Sequence, residues 1–307
     1  MNRRFEVEEW FKGLQDDICD GLTKLDGKST FQEDAWERPG GGGGRSRVIE
    51  NGNLIEKGGV NFSAVHGPLP EKIQQGLKLS PSQFYATGVS IVLHPENPWM
   101  PIIHMNVRYF ETQPNDESQT STWWMGGGID LTPHYVSPED GGFIHQYLKN
   151  VCDQTDPEYY PRFKKWADDY FFIKHRNETR GVGGIFYDRL NDISENKSFE
   201  SLWKFHQGVG EAFVPIYSHY AEKYRNKSAT EEHKAWQMLR RGRYVEFNLV
   251  WDKGTKFGLD TDGRTESILM SMPPQAQWEY NHQPEEGSPE AKTLQWLKKD
   301  INWLEYA

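Results

Sequence analysis

Two stretches of the chain, each expected to form strands, carry imidazole, guanidinium and carboxylate groups. The first is FYATGVSIVLHPENPWMPIIHMNVRYF, residues 84–110. Successive side chains on a strand point to opposite faces. His104, Asn106 and Arg108 therefore share one face, and Ile103, Met105, Val107 and Tyr109 share the other. Upstream, Ser90 and His94 join Gly88 on the face opposite Val89, Ile91 and Leu93. Pairing His94 with His104 sets Ser90 across from Arg108 and gathers five polar groups on one side, the floor of a candidate site. The second stretch, WWMGGGIDLTP (123–133), places Asp130 just after a glycine-rich middle. Glycines strip a strand of side chains where a ligand or another backbone lies close. An imidazole near neutrality gives or takes a proton. An arginine grips both oxygens of a carboxylate, each charge-assisted hydrogen bond netting ~1.5–3 kcal/mol.

These groups need elements to position them. Runs of β-branched and aromatic residues flank PENPWMP, whose three prolines continue neither strand nor helix, so 84–110 is expected as two antiparallel strands joined by a loop. Further strands are expected from Val60 to about residue 66, over 123–133 and at 185–187. Val7, Trp10, Phe11, Leu14, Ile18, Leu22 and Leu25 predict an amphipathic helix over 5–26. Other helices are expected over 72–79, 138–151, 158–175, 199–225 with a kink at Pro215, 230–241 and 289–306. Residues 244–251, YVEFNLVW, alternate as a strand would, and Asp262-Gly263 is a hairpin signal leading to a returning strand over 267–272. Five glycines at 40–44 cost too much backbone entropy for helix or strand and are expected as a mobile loop. No Gly-Lys-Ser/Thr follows, which excludes a phosphate loop. Arg45 and Arg47 beside the loop could close over a carboxylate-bearing ligand; a plain linker is the alternative. No repeat or composition break divides residues 1–307, which read as a single domain.

Composition narrows the function classes. Hydrophobic residues make up only 36% of the 307, yet 12 Trp, 14 Tyr and 16 Phe are present, rings that suit sheets and pockets for flat ligands. The net charge of −10 weighs against nucleic acid as partner without excluding an anionic small molecule, since local arginine placement decides that. Cys19 and Cys152 are the only cysteines, which fits a reducing compartment and excludes a zinc cage of paired cysteines. No apolar run approaches ~18 residues, so no membrane span is expected. MNRRFEVEEWFKG reads as neither a secretory signal nor a transit peptide, and a cytoplasmic location is expected.

The blocks GGGGRSRVIENG, EKGGVNFSAVHG, GVSIVLHPENPWMPIIHMNVRYF, WWMGGGIDLTP, DDYFFIKHRNETRGVGGIFYD, RGRYVEFNLVWDKGTKFGL and GRTESILMSMPP resemble, in order and over nearly the whole chain, the oxygen-dependent coproporphyrinogen-III oxidase family. The resemblance implies an α+β fold, a large flat antiparallel β-sheet flanked by helices on both faces, usually in a homodimer. It implies conversion of two propionates of coproporphyrinogen III to vinyls, giving protoporphyrinogen IX late in haem biosynthesis, with O2 as co-substrate and no organic cofactor. His104 resembles the family's proton donor, and Arg108, within Asn106-Val107-Arg108, its substrate-binding arginine. Ser90 and the loop Asp262-Gly263-Arg264 resemble further substrate contacts, although the family more often carries glycine at the position of Asp262. Asp130 resembles the carboxylate that hydrogen-bonds pyrrole N–H groups, a turn cap being the alternative. His94, His104, His145 and His175 match histidines assigned in the bacterial branch to a divalent metal cation; hydrogen-bonded structural histidines are the alternative. The dimer is expected through 244–280, where a buried core strand would read the same way. Two other functions stay open: a metal-dependent oxygenase, and a tetrapyrrole carrier, which would have no need of His104 and Asp130 together.

Overall fold

The computed structural model describes residues 3–116, 118, 120–260 and 263–307. Seven strands form one antiparallel sheet in the order β1-β2-β3-β4-β5-β6-β9. They are β1 (Gln32–Glu37), β2 (Gly42–Glu50), β3 (Ile55–Pro68), β4 (Ser82–Pro95), β5 (Ile102–Pro114), β6 (Thr122–Thr132) and β9 (Gly183–Leu190). A separate small ribbon pairs β7 (Phe172–Ile173) with β8 (Glu178–Thr179). The helices are α1 (Arg3–Asp26), α2 (Glu71–Leu77), α3 (Pro138–Asp153), α4 (Tyr159–Tyr170), α5 (Asp192–Glu195), α6 (Phe199–Glu211), α7 (Phe213–Tyr224), α8 (Glu231–Glu246), α9 (Lys253–Asp260), α10 (Thr265–Leu269) and α11 (Pro289–Trp296). None of the described helices is long and apolar enough to cross a membrane.

Alternation decides what each face does. On the back of the sheet, Val89, Ile91, Leu93, Ile103, Met105, Val107, Tyr109, Ile129 and Ile185 are fully buried. They share one core with Phe11 and Ile18 of α1, Ile144 and Leu148 of α3, Leu202 and Phe205 of α6, and Ile216 and Tyr220 of α7. The front is covered only in part. Tyr244 of α8 packs on Val92 and Ile102, Phe186 stacks on Tyr170 of α4 at 4.2 Å, and Met270, following α10, sits over Gly59. Helices thus flank both faces, as expected, and leave the middle of the front to polar residues.

Several expectations are corrected. The β4–β5 ribbon forms, but Val92 faces His104, Ser90 faces Asn106 and Gly88 faces Arg108. The shift of two residues keeps every side chain on its expected face. Its cause is the loop: Asn97 and Trp99 donate to the carbonyls of Tyr224, Lys227 and Ser228, so His94 and Pro95 run on beyond β5 and pair with β3 alone. The glycine run is the β1–β2 turn and the start of β2, paired on both sides, rather than a loop over a ligand. Only Gly41 and Gly42 take positive φ, 114° and 83°, and a Cβ on Gly42 or Gly43 would come within 2.1 or 2.2 Å of a neighbouring carbonyl oxygen. Arg45 and Arg47 turn to Asp16 of α1 at 3.2 and 2.7 Å. β1 was not anticipated.

YVEFNLVW is helical, through the end of α8 and a π-helical turn over Phe247–Trp251. Val245, Phe247, Leu249 and Trp251 alternate, whereas Tyr244, Phe247, Asn248 and Trp251 follow helical spacing, and burial of Tyr244, Phe247 and Asn248 against exposed Leu249 and Val250 shows which period won. In place of the hairpin at Asp262-Gly263 stand α9 and α10, with Asp262 itself outside the described residues. The helix expected over 199–225 breaks after Glu211, the residue whose carbonyl the ring of Pro215 would strike. The helix expected to reach 175 stops at Tyr170, and the last one at Trp296, before a 3-10 turn over Trp303–Tyr306.

Asp26 ties α1 to the β2–β3 turn. Its buried carboxylate accepts the backbone N–H groups of Lys28, Ser29, Asn53, Leu54 and Ile55 at 2.8–3.2 Å. Burial alone would raise its pKa, but these hydrogen bonds outweigh it and lower the value. Asp26→Ala leaves the amides of Leu54 and Ile55 without an acceptor, a loss of about 2–4 kcal/mol. Urea unfolding measures it, and an unchanged midpoint would contradict this account.

Candidate functional site

Cross-strand pairing lines up Asp34, Ser46, Asn61, Ser90, Asn106, Gly128 and Phe186 in one row across the seven strands. Directly opposed residues on neighbouring strands point to the same face. The row is therefore polar over five adjacent strands and ends in an aromatic ring. On one side of it lie Gly88, Arg108 and Gly126; on the other lie Val92, His104 and Asp130. Ser90, His104, Asn106, Arg108 and Asp130 thus share the front face. Val107 does not: its side chain is buried in the back core, as parity requires, so it offers no side chain to a ligand on the front.

Arg108 is 40% exposed and is oriented from two sides. It donates to Asn106 Oδ1 at 2.9 Å and to Asp188 Oδ1 of β9 at 2.9 Å. A Cβ on Gly126 would stand 2.5 Å from that Asp188 oxygen and 3.0 Å from the Arg108 guanidinium. The glycines were expected to lie bare under a ligand. Instead the Arg108–Asp188 pair fills the space over Gly126, and the ring of Phe186 covers Gly128. The absent side chains make room for the guanidinium itself.

His104 and Asp130 are directly paired across β5 and β6. His104 Nδ1 lies 2.7 Å from Asp130 Oδ1. A carboxylate only accepts, so the ring nitrogen facing it carries the proton. Asp130 is 1% exposed, and Nη2 of the buried Arg180 lies 2.7 Å from each of its oxygens. Burial alone would raise the Asp130 pKa; the Arg180 charge and the His104 hydrogen bond turn the shift downward. Both carboxylate oxygens are thus engaged by protein.

Residues 263–271 close one side of the floor. Ser267 bonds Ser46 Oγ at 2.8 Å, and its carbonyl accepts from Asn61 at 2.8 Å. Arg264 pairs with Asp34 at the end of the polar row. Gly263 and Arg264 therefore border the same face as Ser90. A separate recess of about 310 Å³, lined by Glu8, Lys12, Arg45, Phe62 and Tyr85 among others, lies on the α1 side of the sheet, away from this floor.

The four histidines are not brought together as one ligand set. His94 donates to the Ser271 carbonyl at 2.8 Å, and burial pushes its pKa well down. His145 uses both ring nitrogens, on Tyr160 Oη at 3.0 Å and the Val182 carbonyl at 2.9 Å; burial pushes it down to about 3. His175 uses both as well, accepting from Trp251 at 2.9 Å and bonding Glu246 at 2.8 Å. No group of three or more His, Cys, Asp or Glu that could hold a metal occurs among the described residues. The donors present do not fit a single shared cation.

Sequence reasoning missed Arg180 and Asp188. Asp188 was legible in principle: the alternation of the strand at 185–187, carried one residue further, puts it on the face of Phe186. Arg180 left no such sign. It sits between β8 and β9, and only the fold brings it against Asp130.

Glu246 anchors the surround of His175. Arg176 grips it at 2.6 and 2.8 Å, with Arg243 and Trp278 adding bonds at 3.2 and 2.9 Å. Burial alone would raise its pKa, but these donors and His175 hold it down at about 2 against an ordinary 4.5. A depressed carboxyl stabilises the fold fully above its unfolded pKa, and that share is lost as pH falls toward the folded value. The difference in urea midpoint between wild type and Glu246→Gln should therefore shrink from about pH 6 to about pH 2. A difference independent of pH would refute the coupling.

Comparison with known proteins completes the site's context. The family model for coproporphyrinogen III oxidase matches residues 6–303. The chloroplastic coproporphyrinogen-III oxidase 1 of Arabidopsis thaliana is 50% identical over 310 residues, covering 98% of this chain and 79% of that protein. The oxygen-dependent coproporphyrinogen-III oxidase of Glycine max, also chloroplastic, is 48% identical over 98% of this chain and 80% of its own length. That of Prochlorococcus marinus (strain NATL1A) is 46% identical over 99% and 92%. With the polar floor lying wholly inside a match of this length and identity, the chain belongs to the coproporphyrinogen III oxidase family.

Proposed function

We propose that this protein converts two propionate side chains of coproporphyrinogen III to vinyls with O2 as oxidant, yielding protoporphyrinogen IX for haem synthesis. The observation that carries the reading is the shared face of Arg108 and His104, a carboxylate grip and an acid–base group on one β-ribbon beside Ser90. Arg108 binds the carboxylate to be lost, with Asn106 and Asp188 holding the guanidinium in place. Ser90 and the backbone of Gly263 and Arg264 contact the rest of the macrocycle. His104 Nε2 takes the pyrrole N–H proton, which makes the ring electron-rich enough to react with O2. Asp130, already engaged, supports His104 rather than touching the pyrrole.

The chemistry balances without an organic cofactor. In each conversion the ring-side methylene loses a hydrogen with two electrons. The bond to the carboxyl carbon breaks, its electron pair becomes the vinyl π bond, and CO2 leaves. Two conversions deliver four electrons and two protons; with two further protons from solvent they reduce one O2 to two waters. A carrier would bind the same ligand but gain nothing from a histidine held by a buried carboxylate. CO2 release from coproporphyrinogen should require air, and Arg108→Ala should lower kcat/KM by about 10- to 150-fold or more, the lower range being the worth of one charge-assisted hydrogen bond. Turnover within about twofold of wild type would remove Arg108 from this role.

The homodimer proposed through residues 244–280 has support in the surface. Leu249, Val250, Leu259, Trp278 and Tyr280 in that segment are 44–100% exposed, five of the nine exposed large hydrophobics among the described residues. Exposed apolar side chains concentrated in one segment are what an interface there would need. Sedimentation should give twice the chain mass for wild type and a lighter species for Leu249→Asp/Val250→Asp; an unaltered mass in that variant would move the interface elsewhere.

A further inference from the structure

We propose that Arg180 is a positioning residue: from the covered side of the floor it locks Asp130, and through Asp130 it keeps His104 in one tautomer and one orientation toward the substrate. The inference rests on the acid–base role of His104 stated above.

Arg180 has no route to a ligand of its own. It is 2% exposed, and its guanidinium carbon lies 4.3, 4.9 and 4.7 Å from the ring centres of Phe171, Tyr244 and Phe247. These rings come from three places: the end of α4, the last turn of α8 and the π-helical turn. Its backbone N–H donates to the Phe171 carbonyl at 2.8 Å. A guanidinium between aromatic faces is favourably placed and cannot swing away.

What it holds is specific. Its Nη2 bonds both oxygens of Asp130 at 2.7 Å, and the same nitrogen lies 3.5 Å from His104 Nδ1. Oδ1 of Asp130 meets His104 and Arg180 together, so the carboxylate cannot rotate without breaking both contacts. Since an ionised carboxylate only accepts, His104 presents N–H at Nδ1 and keeps the lone pair at Nε2, the nitrogen a substrate would meet. A buried ion pair is seldom a gain in stability over apolar packing of the same volume. Such an arrangement under a reactive imidazole is better explained by orientation, which carries a catalytic side chain to within a fraction of an ångström of its working geometry.

The test separates orientation from folding. Arg180→Met keeps the volume and removes the grip; Arg180→Lys keeps the charge without the planar fork. With coproporphyrinogen under air, Arg180→Met should lower kcat by about 100-fold or more, with KM within about threefold of wild type because Arg108 is untouched. Arg180→Lys should recover about a tenth to a half of wild-type kcat. In nitrogen NMR of labelled enzyme, His104 should show a single tautomer protonated at Nδ1 in wild type and a mixture in Arg180→Met. Should Arg180→Met fail to fold, Phe247→Leu, which only loosens the cage, should still depress kcat without raising KM. Wild-type kcat in folded Arg180→Met or in Phe247→Leu, or an unmixed His104 tautomer in the former, would overturn the assignment. Loss of kcat by Arg108→Ala with wild-type kcat in the Arg180 variants would leave the proposed reaction standing and remove only this role.

Discussion

Burial of one face of β4, β5 and β6 against the helices behind them is the constraint on which the rest depends. Each apolar side chain taken fully from water contributes roughly 1.5–3 kcal/mol, and Val89, Ile91, Ile103, Met105, Val107, Ile129 and Leu131 are all fully buried. A slip of one residue would bring this whole set to the front and drive His104, Asn106 and Arg108 into the core. A slip of two leaves the faces intact, which is why the β4–β5 register could differ from expectation without moving any polar group off the floor. The position of the His104 imidazole is thus a consequence of hydrophobic burial on the other side of the same strand.

The charges on the front are arranged against one another. A chain with a net charge of −10 still offers a guanidinium to an anion, because Arg108 stays half open to solvent while Asp188 and Asn106 aim it. Arg180 is the opposite case: it is wholly buried, enclosed by rings and committed to Asp130. The same residue type stands once half open to solvent and once as a buried partner of a carboxylate, and the difference lies only in what surrounds it. The buried histidines follow the same logic. Burial holds His134, His145 and His206 at about 3, so they remain neutral hydrogen-bonding groups of the core, while His104 alone stands on the floor with a carboxylate behind it.

The last third of the chain shows how local pattern and tertiary structure part. YVEFNLVW fits alternation and helical spacing equally over so short a run, and nothing local chooses between them. The choice comes from Tyr244 and Phe247, which must sit on Val92 and beside Arg180; a helix reaching those places buries both and turns Leu249 and Val250 outward. Likewise the glycine run at 40–44 reads as a loop only when taken alone. Between Trp36 of β1 and the β3 backbone, it is the start of an inner strand where side chains have no room.

By itself the amino-acid sequence determined the sheet's central strands, the helices that back it and the face on which Ser90, His104, Asn106 and Arg108 lie, because alternation and helical spacing are local properties of residue order. It also carried the family, through blocks too many and too ordered for any single motif to mimic. Tertiary structure alone decided the register across the loop at 96–101, the helical state of 244–251, the separation of His94, His145 and His175, and the meeting of Arg180 with Asp130 and of Asp188 with Arg108. Each of those rests on contacts between segments distant in the chain, where the partner's position follows from packing of the whole molecule and leaves no trace in neighbouring residues.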